Sequence, residues 1–193
     1  MKLRPGNKAP HFEILDVNGS LQTSAGNDGS PVHLSFHRHA GCPPCNLRVH
    51  ELMVAKQRFD KLGVRMLQVF ESSVEHIRKD LSHGEVPFPI LPDRQRKLYK
   101  QYAVNPSLGG FISSFLLRPG YSMQAMFKHG YWPKFKEVTT MMPAEFIIAP
   151  DGTIKLAHYA KDLGDYVPID SLLKLLTGMK ATESSIPVTN LRE

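Results

Sequence analysis

The sequence predicts an α/β protein with a central mixed sheet and helices on both faces. From residue 32 to residue 102, short apolar runs typical of strands alternate with longer stretches that have the apolar spacing of helices. Two more strand-like runs follow, joined by Pro150-Asp151-Gly152, which indicates a hairpin turn. A strand–helix–strand start requires a right-handed crossover, so its strands are parallel, whereas the hairpin adds antiparallel strands.

The first half of the chain is expected to contain a hairpin and two strand–helix units. The Asn-Gly pair favours a tight hairpin turn, and a glycine suits the end of a helix because it tolerates positive φ. The predicted elements are an extended lead-in at residues 1–10, a hairpin at 12–23 around Asn18-Gly19, a loop at 25–30, a strand at Val32–Phe36, a helix that ends at Lys61-Leu62-Gly63, a strand at 64–70, a helix capped by Ser72 or Ser73 that reaches about residue 82, a short extended segment at 87–92 and a helix from Asp93 through about Tyr102.

The second half is expected to begin with an insertion at residues 104–142, which is rich in glycine and too apolar to be disordered. Its apolar and aromatic side chains are interpreted as packing against the sheet, with a lip over the active site or a self-association surface as the alternative. Strands at 145–149 and 153–159 and a helix at 165–176 complete one domain at 11–177. A frayed tail at 178–193 is expected to follow.

The only two cysteines, Cys42 and Cys45, lie where the strand Val32–Phe36 gives way to a helix. Two residues three apart at a helix start share one face and are close enough for a disulfide. The helix dipole favours the thiolate of Cys42, and nearby His37, Arg38 and His39 act in the same direction. Cys42 is therefore predicted to be the nucleophile and Cys45 the resolving thiol.

Pro43 and Pro44 lie between the two cysteines. Neither has an N–H, so two amides that would normally face an anion at a helix N-terminus are missing. The amide of Cys45 then becomes the main local backbone donor for the Cys42 sulfur. Proline is tolerated in the first helical turn, so the motif remains compatible with a helix start.

Composition excludes several classes of function. The net charge is +6, but basic and acidic residues are interleaved, so no nucleic-acid partner is expected. No run of apolar residues is long enough to span a bilayer, and the N-terminus lacks the apolar core of a signal peptide, so we expect a cytoplasmic protein with no membrane partner. In a reducing compartment, a lone cysteine pair favours redox or metal chemistry over a structural disulfide.

A zinc site is the sharper alternative for the cysteines. His37, His39, Cys42 and Cys45 are four ligands of the kind that zinc prefers. Structural zinc usually takes its ligands from two separated knuckles, and both histidines lie on or just past a strand, so we predict that no metal and no organic cofactor is bound. Burial of the cysteines as small core residues is the remaining alternative.

By its motifs the chain resembles the thioredoxin superfamily, and within it the peroxiredoxin-like branch of alkyl hydroperoxide reductases and thiol-specific antioxidant proteins. The matching segments cover most of residues 11–177 and are FEILDVNGSLQT, HLSFHRHAGCPPCNLRVHEL, FESSVEHIRKDLSHGEVPFPILPDRQRKLYKQYAV and MMPAEFIIAPDGTIKLAHYAKDLGDYVPIDSLLKLL. The resemblance implies a thioredoxin-like fold with an N-terminal hairpin and an inserted segment before the strand that faces the cysteines.

The resemblance also implies roles for residues outside the Cys-x-x-Cys motif. The Met142–Pro143 bond is expected to be cis, with Pro143 against the cysteines and the Met142 backbone presented to a substrate. A basic residue near the thiolate is expected to be Arg48 or Arg38. Typical members carry Pro-x-x-x-Thr-x-x-Cys; with Cys45 at their peroxidatic position, the threonine position here is Cys42 and the proline position is Arg38.

These observations favour a thiol oxidoreductase that cycles Cys42 and Cys45 between dithiol and disulfide. The expected substrates are peroxides or protein disulfides, the expected reductant is a cellular dithiol such as a thioredoxin, and a homodimer is left open. A disulfide reductase without peroxide activity is the alternative within the class. A non-catalytic redox sensor, which changes its partner according to the state of the cysteines, is the alternative outside it.

Overall fold

The computed structural model describes residues 1–24, 29–81, 85–117, 119–134 and 139–184. Two sheets occur in this part of the chain, a two-stranded hairpin and a five-stranded sheet of order β5-β4-β3-β6-β7. The strands are β1 Glu13–Leu15, β2 Leu21–Thr23, β3 Val32–Phe36, β4 Arg65–Phe70, β5 Ile90–Pro92, β6 Ala144–Ile148 and β7 Ile154–Tyr159. The helices are α1 Pro43–Asp60, α2 Val74–Asp80, α3 Lys97–Gln101, α4 Leu108–Leu117, α5 Pro119–Met123, a π-helical turn Gln124–Lys128 and α6 Ile169–Ser184.

Strand β3 is the centre of the larger sheet. It pairs in parallel with β4, with Val32 opposite Arg65, and antiparallel with β6, with Val32 opposite Ile148. All five of its residues are buried. The predicted mixed sheet is therefore confirmed, with the parallel strands at one side and the β6–β7 hairpin at the other.

The N-terminal hairpin is confirmed as β1 paired with β2. Its turn is organised by the carboxylate of Asp16, which accepts hydrogen bonds from the amides of Asn18 and Ser20 at 2.8 and 2.9 Å. Gly19 has φ of 84°, a left-handed conformation that favours glycine. The predicted loop at residues 25–30 lies largely outside the described residues.

Helix α1 begins immediately after Cys42, with Pro43 and Pro44 in its first turn. Its last residue is Asp60, and the predicted turn Lys61-Leu62-Gly63 follows, where the φ of 69° at Gly63 lets the chain reverse toward β4. Helix α1 and helix α6 pack on one face of the sheet around Phe59. Helix α3 packs on the other face with Phe36 and Phe146, so helices on both faces are confirmed.

Helix α3 is shorter than the sequence predicts. Asp93 accepts hydrogen bonds from the amides of Lys97, Leu98 and Tyr99, but Arg96 has φ of 57°, which is left-handed. Regular helix therefore begins only at Lys97. Asp93 caps this helix across a turn rather than from the adjacent position.

The C-terminal helix also differs from its predicted bounds. It begins at Ile169 instead of residue 165, because residues 165–167 are held in a loop by other contacts. The carbonyl of Asp165 lies 2.8 Å from Nε2 of His158, and the amide of Val167 donates to Glu145 at 2.8 Å. The helix then continues to Ser184, so the first part of the predicted tail is helical; residues 185–193 lie outside the described residues.

Candidate active site

The two cysteines lie in a turn that is fixed from both sides. Cys42 is the N-cap residue of α1, and its amide donates to the carbonyl of His39 at 3.1 Å. The side-chain amide of Asn46 donates to the carbonyls of Ala40 and Cys42 at 2.7 and 3.0 Å. This side chain closes the loop onto the helix, so the direction of the Cys42 sulfur is set by α1.

Both cysteines are free thiols with 0% of their surface exposed. Sγ of Cys45 donates a hydrogen bond to Sγ of Cys42 across 2.7 Å. The pair is therefore a dithiol in which a small rearrangement closes the S–S bond. The two sulfurs are therefore as close as the Cys-x-x-Cys spacing predicted.

Arg38 is the basic side chain at the thiols. Its Nη1 lies 3.7 Å from Sγ of Cys42, and its backbone amide donates to Sγ of Cys45 at 3.4 Å. The guanidinium is held from the other side by the carbonyl of Thr139 and by the ring of Phe111, whose centroid lies 4.8 Å away. Nε of Arg38 is buried and has no hydrogen-bond partner among the described residues.

These contacts shift the pKa values of the two thiols in opposite directions. Burial would raise the pKa of Cys42, but the hydrogen bond from Cys45 and the charge of Arg38 outweigh it and lower the pKa to about 7. Burial, together with the hydrogen bond and negative charge of Cys42, raises the pKa of Cys45 well above its usual value. Cys42 is therefore the thiol that ionises first.

His37 does not contribute the positive charge that the sequence led us to expect. Its ring is fully buried against Phe70, with 4.7 Å between ring centroids, and its Nε2 lies 2.9 Å from Oε1 of Gln68. Burial lowers the pKa of His37 to about 4, so the ring is neutral near pH 7. His39 is also buried, and its role in tuning Cys42 stays a prediction.

Arg48 lies in a buried ion-pair network instead of serving as the basic side chain at the thiols. Its Nη2 donates to the carboxylate of Glu145 at 2.7 Å and to the carbonyl of Val167 at 2.8 Å. Its Nη1 donates to Glu51 at 3.1 Å. Of the two basic residues that the resemblance left open, Arg38 is the one that contacts sulfur, because it precedes the cysteines in the turn whereas Arg48 is one turn along α1.

The expected cis bond between Met142 and Pro143 is absent, and this prediction was wrong. It depended on the resemblance alone, and a trans bond is the preferred form for any X–Pro pair. Pro143 directly precedes β6, and its carbonyl accepts a hydrogen bond from the amide of Ala160 at 3.0 Å. Met142 is buried, and its side chain lies against Gly110 of the insertion.

The insertion covers the active-site turn. The amide of Lys134 donates to the carbonyl of Gly41 at 3.1 Å, and a Cβ added at Gly41 would lie only 2.7 Å from Cβ of Lys134. The insertion approaches the backbone so closely here that position 41 requires glycine. Nζ of Lys134 pairs with Asp80 at 3.2 Å, which ties the cover to α2 as well.

Several residues around the site were missed by sequence reasoning. Glu145 lies on β6, next to the central strand of the sheet; a lone carboxylate inside the apolar run AEFIIA is the signal that could have revealed it. Thr139 links Arg38 to Glu71, since its hydroxyl donates to that carboxylate at 2.9 Å, and no local pattern marks this link. The hydroxyl of Tyr166 is buried without a hydrogen-bond partner among the described residues.

Candidate metal ligands are not gathered in the described ranges. No group of three or more histidine, cysteine or acidic side chains there could hold a metal ion. His37, one of the four candidate zinc ligands, is committed to Gln68 and Phe70. The absence of a metal requirement stays a prediction that elemental analysis can test.

The sheet order and a dithiol at the N-terminus of α1 define a protein of the thioredoxin-fold class. The sequence matches the AhpC/TSA family over residues 5–157, and the chain belongs to that family. Among curated proteins it is 22% identical to a chloroplastic peroxiredoxin Q of Oryza sativa subsp. japonica over 129 residues. That alignment covers 67% of this chain and 57% of the rice protein, so the chain spans little more than half the length of this relative.

Solved structures with this fold are similar over nearly the whole chain. Peroxidoxin BcpB from Mycobacterium tuberculosis superposes with a TM-score of 0.67 at 16% identity, covering 92% of this chain and 98% of that one. A yeast mitochondrial 1-Cys peroxiredoxin superposes with a TM-score of 0.65 at 18% identity, covering 99% and 83%. At these identities the similarity establishes the thioredoxin-like fold.

Proposed function

We propose that the protein is a thiol-dependent peroxidase that uses Cys42 as the attacking thiol. The observation that supports this most directly is the contact of Arg38 with Cys42, since it favours a thiolate near neutral pH. Family membership and the peroxiredoxin relatives point to the same class of reaction. Cys45 is the resolving thiol because its pKa is raised.

The proposed cycle has three balanced steps. The Cys42 thiolate attacks the distal oxygen of a hydroperoxide ROOH, the O–O bond breaks, and the departing alkoxide takes up a proton; the products are Cys42–SOH and ROH. The Cys45 thiol then attacks the sulfenic sulfur, forming the disulfide and releasing water. An external dithiol finally reduces the disulfide and is itself oxidised to a disulfide.

Arg38 serves two of these steps in the proposal. Its Nη1 stabilises the thiolate before attack, and its Nε is a buried donor without a partner among the described residues that can donate to a peroxide oxygen. Cys42 occupies the threonine position only in the alignment that makes Cys45 the peroxidatic thiol; the proposal makes Cys42 the attacking thiol instead and assigns the placement of the peroxide to the guanidinium of Arg38. His39 and Met142 are given no chemical role.

Reduction of disulfides is the second candidate function. The 2.7 Å separation of the two sulfurs suits direct exchange between a dithiol and a disulfide. Full burial of both thiols opposes it, since a protein disulfide needs the insertion to move aside, whereas a small hydroperoxide needs far less space. We therefore rank peroxide reduction first.

Stopped-flow mixing of the reduced protein with hydrogen peroxide, cumene hydroperoxide and a small aromatic disulfide distinguishes the two functions. A peroxidase should be oxidised by the hydroperoxides much faster than by the disulfide, with one disulfide formed per chain. Cys45→Ser should stop at a sulfenic acid that dimedone traps on Cys42. Faster oxidation by the disulfide, or dimedone labelling of Cys45 in Cys42→Ser at the wild-type rate, would contradict the proposal.

The reductant and setting follow as part of the same proposal. A thioredoxin-type dithiol in a reducing compartment, the cytoplasm by our expectation, would return the disulfide to the dithiol. In the yeast mitochondrial 1-Cys peroxiredoxin, the thiol is resolved via glutathione and thioredoxin systems. Turnover with thioredoxin and its reductase, but not with reductase alone, would support this reductant. A homodimer is an additional proposal, which sedimentation equilibrium can test.

A further inference from the structure

The insertion has an exposed apolar surface that the thiol chemistry does not use. On α4, Leu108, Ile112 and Leu116 face solvent, at a spacing of four residues that aligns them along one side of the helix. The other side faces protein, where Phe111 lies over Arg38. A surface helix normally turns its polar side chains toward solvent, whereas this helix exposes a row of apolar side chains.

A second exposed apolar group lies on the same insertion. Phe127 and Trp132 are exposed, with their rings in edge-to-face contact at 5.7 Å, and Met123 is exposed nearby in the chain. Both groups adjoin the active-site turn, because Phe111 contacts Arg38 and Lys134 contacts Gly41. We call the outward-facing side chains of both groups the apolar face of the insertion.

Within the insertion the described charged side chains are basic, whereas Glu51 and Asp170 from outside it line the same cavity as Lys128. The described part of residues 104–142 contains no Asp or Glu, whereas Lys128 is exposed beside Phe127. In the sequence of the whole segment the charged residues are Arg118, Lys128, Lys134, Lys136 and Glu137. Asp80, which pairs with Lys134, is an acidic residue from outside the segment and is itself buried. A second copy of a chain with net charge +6 would bring like charges together, so this surface favours an anionic partner.

Helix α4 offers few groups for hydrogen bonds to a protein partner. The hydroxyls of Ser113 and Ser114 donate to the carbonyl of Gly110 within α4 at 2.9 and 2.8 Å. Helix α4 contains no charged residue at all. An interface between proteins usually pairs an apolar centre with about one hydrogen bond per 100–200 Å², whereas a bilayer interior requires none.

We propose that the apolar face of the insertion binds the surface of an anionic lipid bilayer. Leu, Phe and Trp side chains would enter the headgroup boundary while Lys128 contacts the phosphates. No helix among the described residues is long and apolar enough to cross a membrane. We expected no membrane partner from the sequence because we judged it by the length needed to span; a segment that lies in the interface has no such length requirement.

Co-sedimentation of the reduced 193-residue chain with lipid vesicles tests this proposal. We expect binding to phosphatidylcholine vesicles that contain about a quarter phosphatidylglycerol, weakened by salt, and much weaker binding to phosphatidylcholine alone. Trp132 is the single tryptophan, so its fluorescence should shift to shorter wavelength on binding. Cys42→Ser should bind equally well, because the proposal does not depend on the thiols.

Matched variants locate the binding surface. The double variant Ile112→Ser/Leu116→Ser should lower partitioning of the protein onto vesicles about tenfold or more. Each apolar side chain that leaves water for the bilayer adds to the free energy of binding, and the variant removes two of them. Leu21→Ser is the control, because Leu21 is 59% exposed but lies on β2 of the N-terminal hairpin. Lys128→Glu should also lower partitioning about tenfold, whereas Lys155→Glu on β7 should not.

Other outcomes would overturn the proposal. Equal binding to neutral and anionic vesicles, or no binding to either, contradicts it directly. A change of oligomeric state in Ile112→Ser/Leu116→Ser without loss of vesicle binding would assign this face to a second copy of the chain. If the double variant unfolds at a lower temperature than wild type, Trp132→Ser provides the same test on the second apolar group.

Discussion

At the scale of single residues, the pKa of Cys42 is lowered by the hydrogen bond from Cys45 and by one guanidinium. Arg38 reaches Cys42 from a turn that precedes the thiol by four positions, whereas Arg48 is engaged by Glu145 and Glu51. The sequence placed both arginines near the cysteines but could not choose between them, because the choice depends on the direction of side chains in a folded turn. The same limitation applied to His37, whose neutrality follows from burial.

Replacing Arg38 with methionine should raise the pKa of Cys42 from about 7 toward the usual thiol value. Loss of one adjacent cation corresponds to about one pKa unit, or about 1.4 kcal/mol. The thiolate fraction falls as pH falls through the pKa, so alkylation near pH 7 should slow several-fold. The measurement is the pH dependence of iodoacetamide alkylation in Cys45→Ser and in Arg38→Met/Cys45→Ser; the two are compared with each other because loss of the Cys45 thiol changes the starting pKa in both. Arg94→Met, at an exposed position, is the control; equal pKa values in both variants would show that Arg38 does not activate the thiol.

At the scale of elements, α4 is held to the domain by close packing at a glycine. A Cβ at Gly110 would lie 2.8 Å from the carbonyl oxygen of Lys161 and 3.0 Å from Cε of Met142. At Gly109, the preceding residue on the same helix, a Cβ would meet nothing within 4 Å. Both glycines lie on α4, but only Gly110 is tightly packed against the rest of the domain.

Gly110→Ala should destabilise the protein by about 1–3 kcal/mol, because backbone must move to admit the methyl group. Gly109→Ala should be neutral or stabilising by up to about 1 kcal/mol, because alanine favours helix. Thermal unfolding of both variants measures the difference, and hydrogen exchange on α4 shows whether the insertion loosens first. Equal stability of the two variants would mean that the contact at Lys161 is not tight.

Some elements could be predicted from local sequence alone. The hairpin at Asn18-Gly19, the strand before Cys42 and the turn at Gly152 each depend on residues within a few positions, and each was predicted. The start of α3 and the start of α6 were misplaced. The start of α6 depends on contacts from other parts of the chain, such as the bond between Val167 and Glu145.

At the scale of the whole molecule, a buried ion pair joins the helix of the cysteines to β6, the antiparallel neighbour of the central strand. Burial would raise the pKa of Glu145, but Arg48 and His33 outweigh it and lower the pKa to about 2. Arg48 belongs to α1, and Glu145 belongs to β6. The pair therefore fixes the active-site helix against a strand from the second half of the chain.

Glu145→Gln should destabilise the protein by about 3–5 kcal/mol at neutral pH, toward the lower value because Arg48 retains Glu51. Since the pKa is depressed on folding, this stabilisation is present above the unfolded value near 4.5 and is lost as pH falls through about 2. Urea unfolding at pH 7 and at pH 3 should show the gap between wild type and variant narrowing at acid pH. Glu13→Gln, on the exposed hairpin, is the control; a gap independent of pH would point to packing instead of charge.

The position of β3 at the centre of the sheet has a consequence for synthesis on the ribosome. Its partner on one side, β4, follows after a single helix, but its partner on the other side, β6, is made only when residues 144–148 have emerged. Until then one edge of VHLSF, a segment that is entirely buried in the finished protein, has no strand to pair with. A nascent chain stalled before Ala144 would expose a sheet edge suited to pairing with other chains, so this intermediate needs chaperone protection more than the completed domain does.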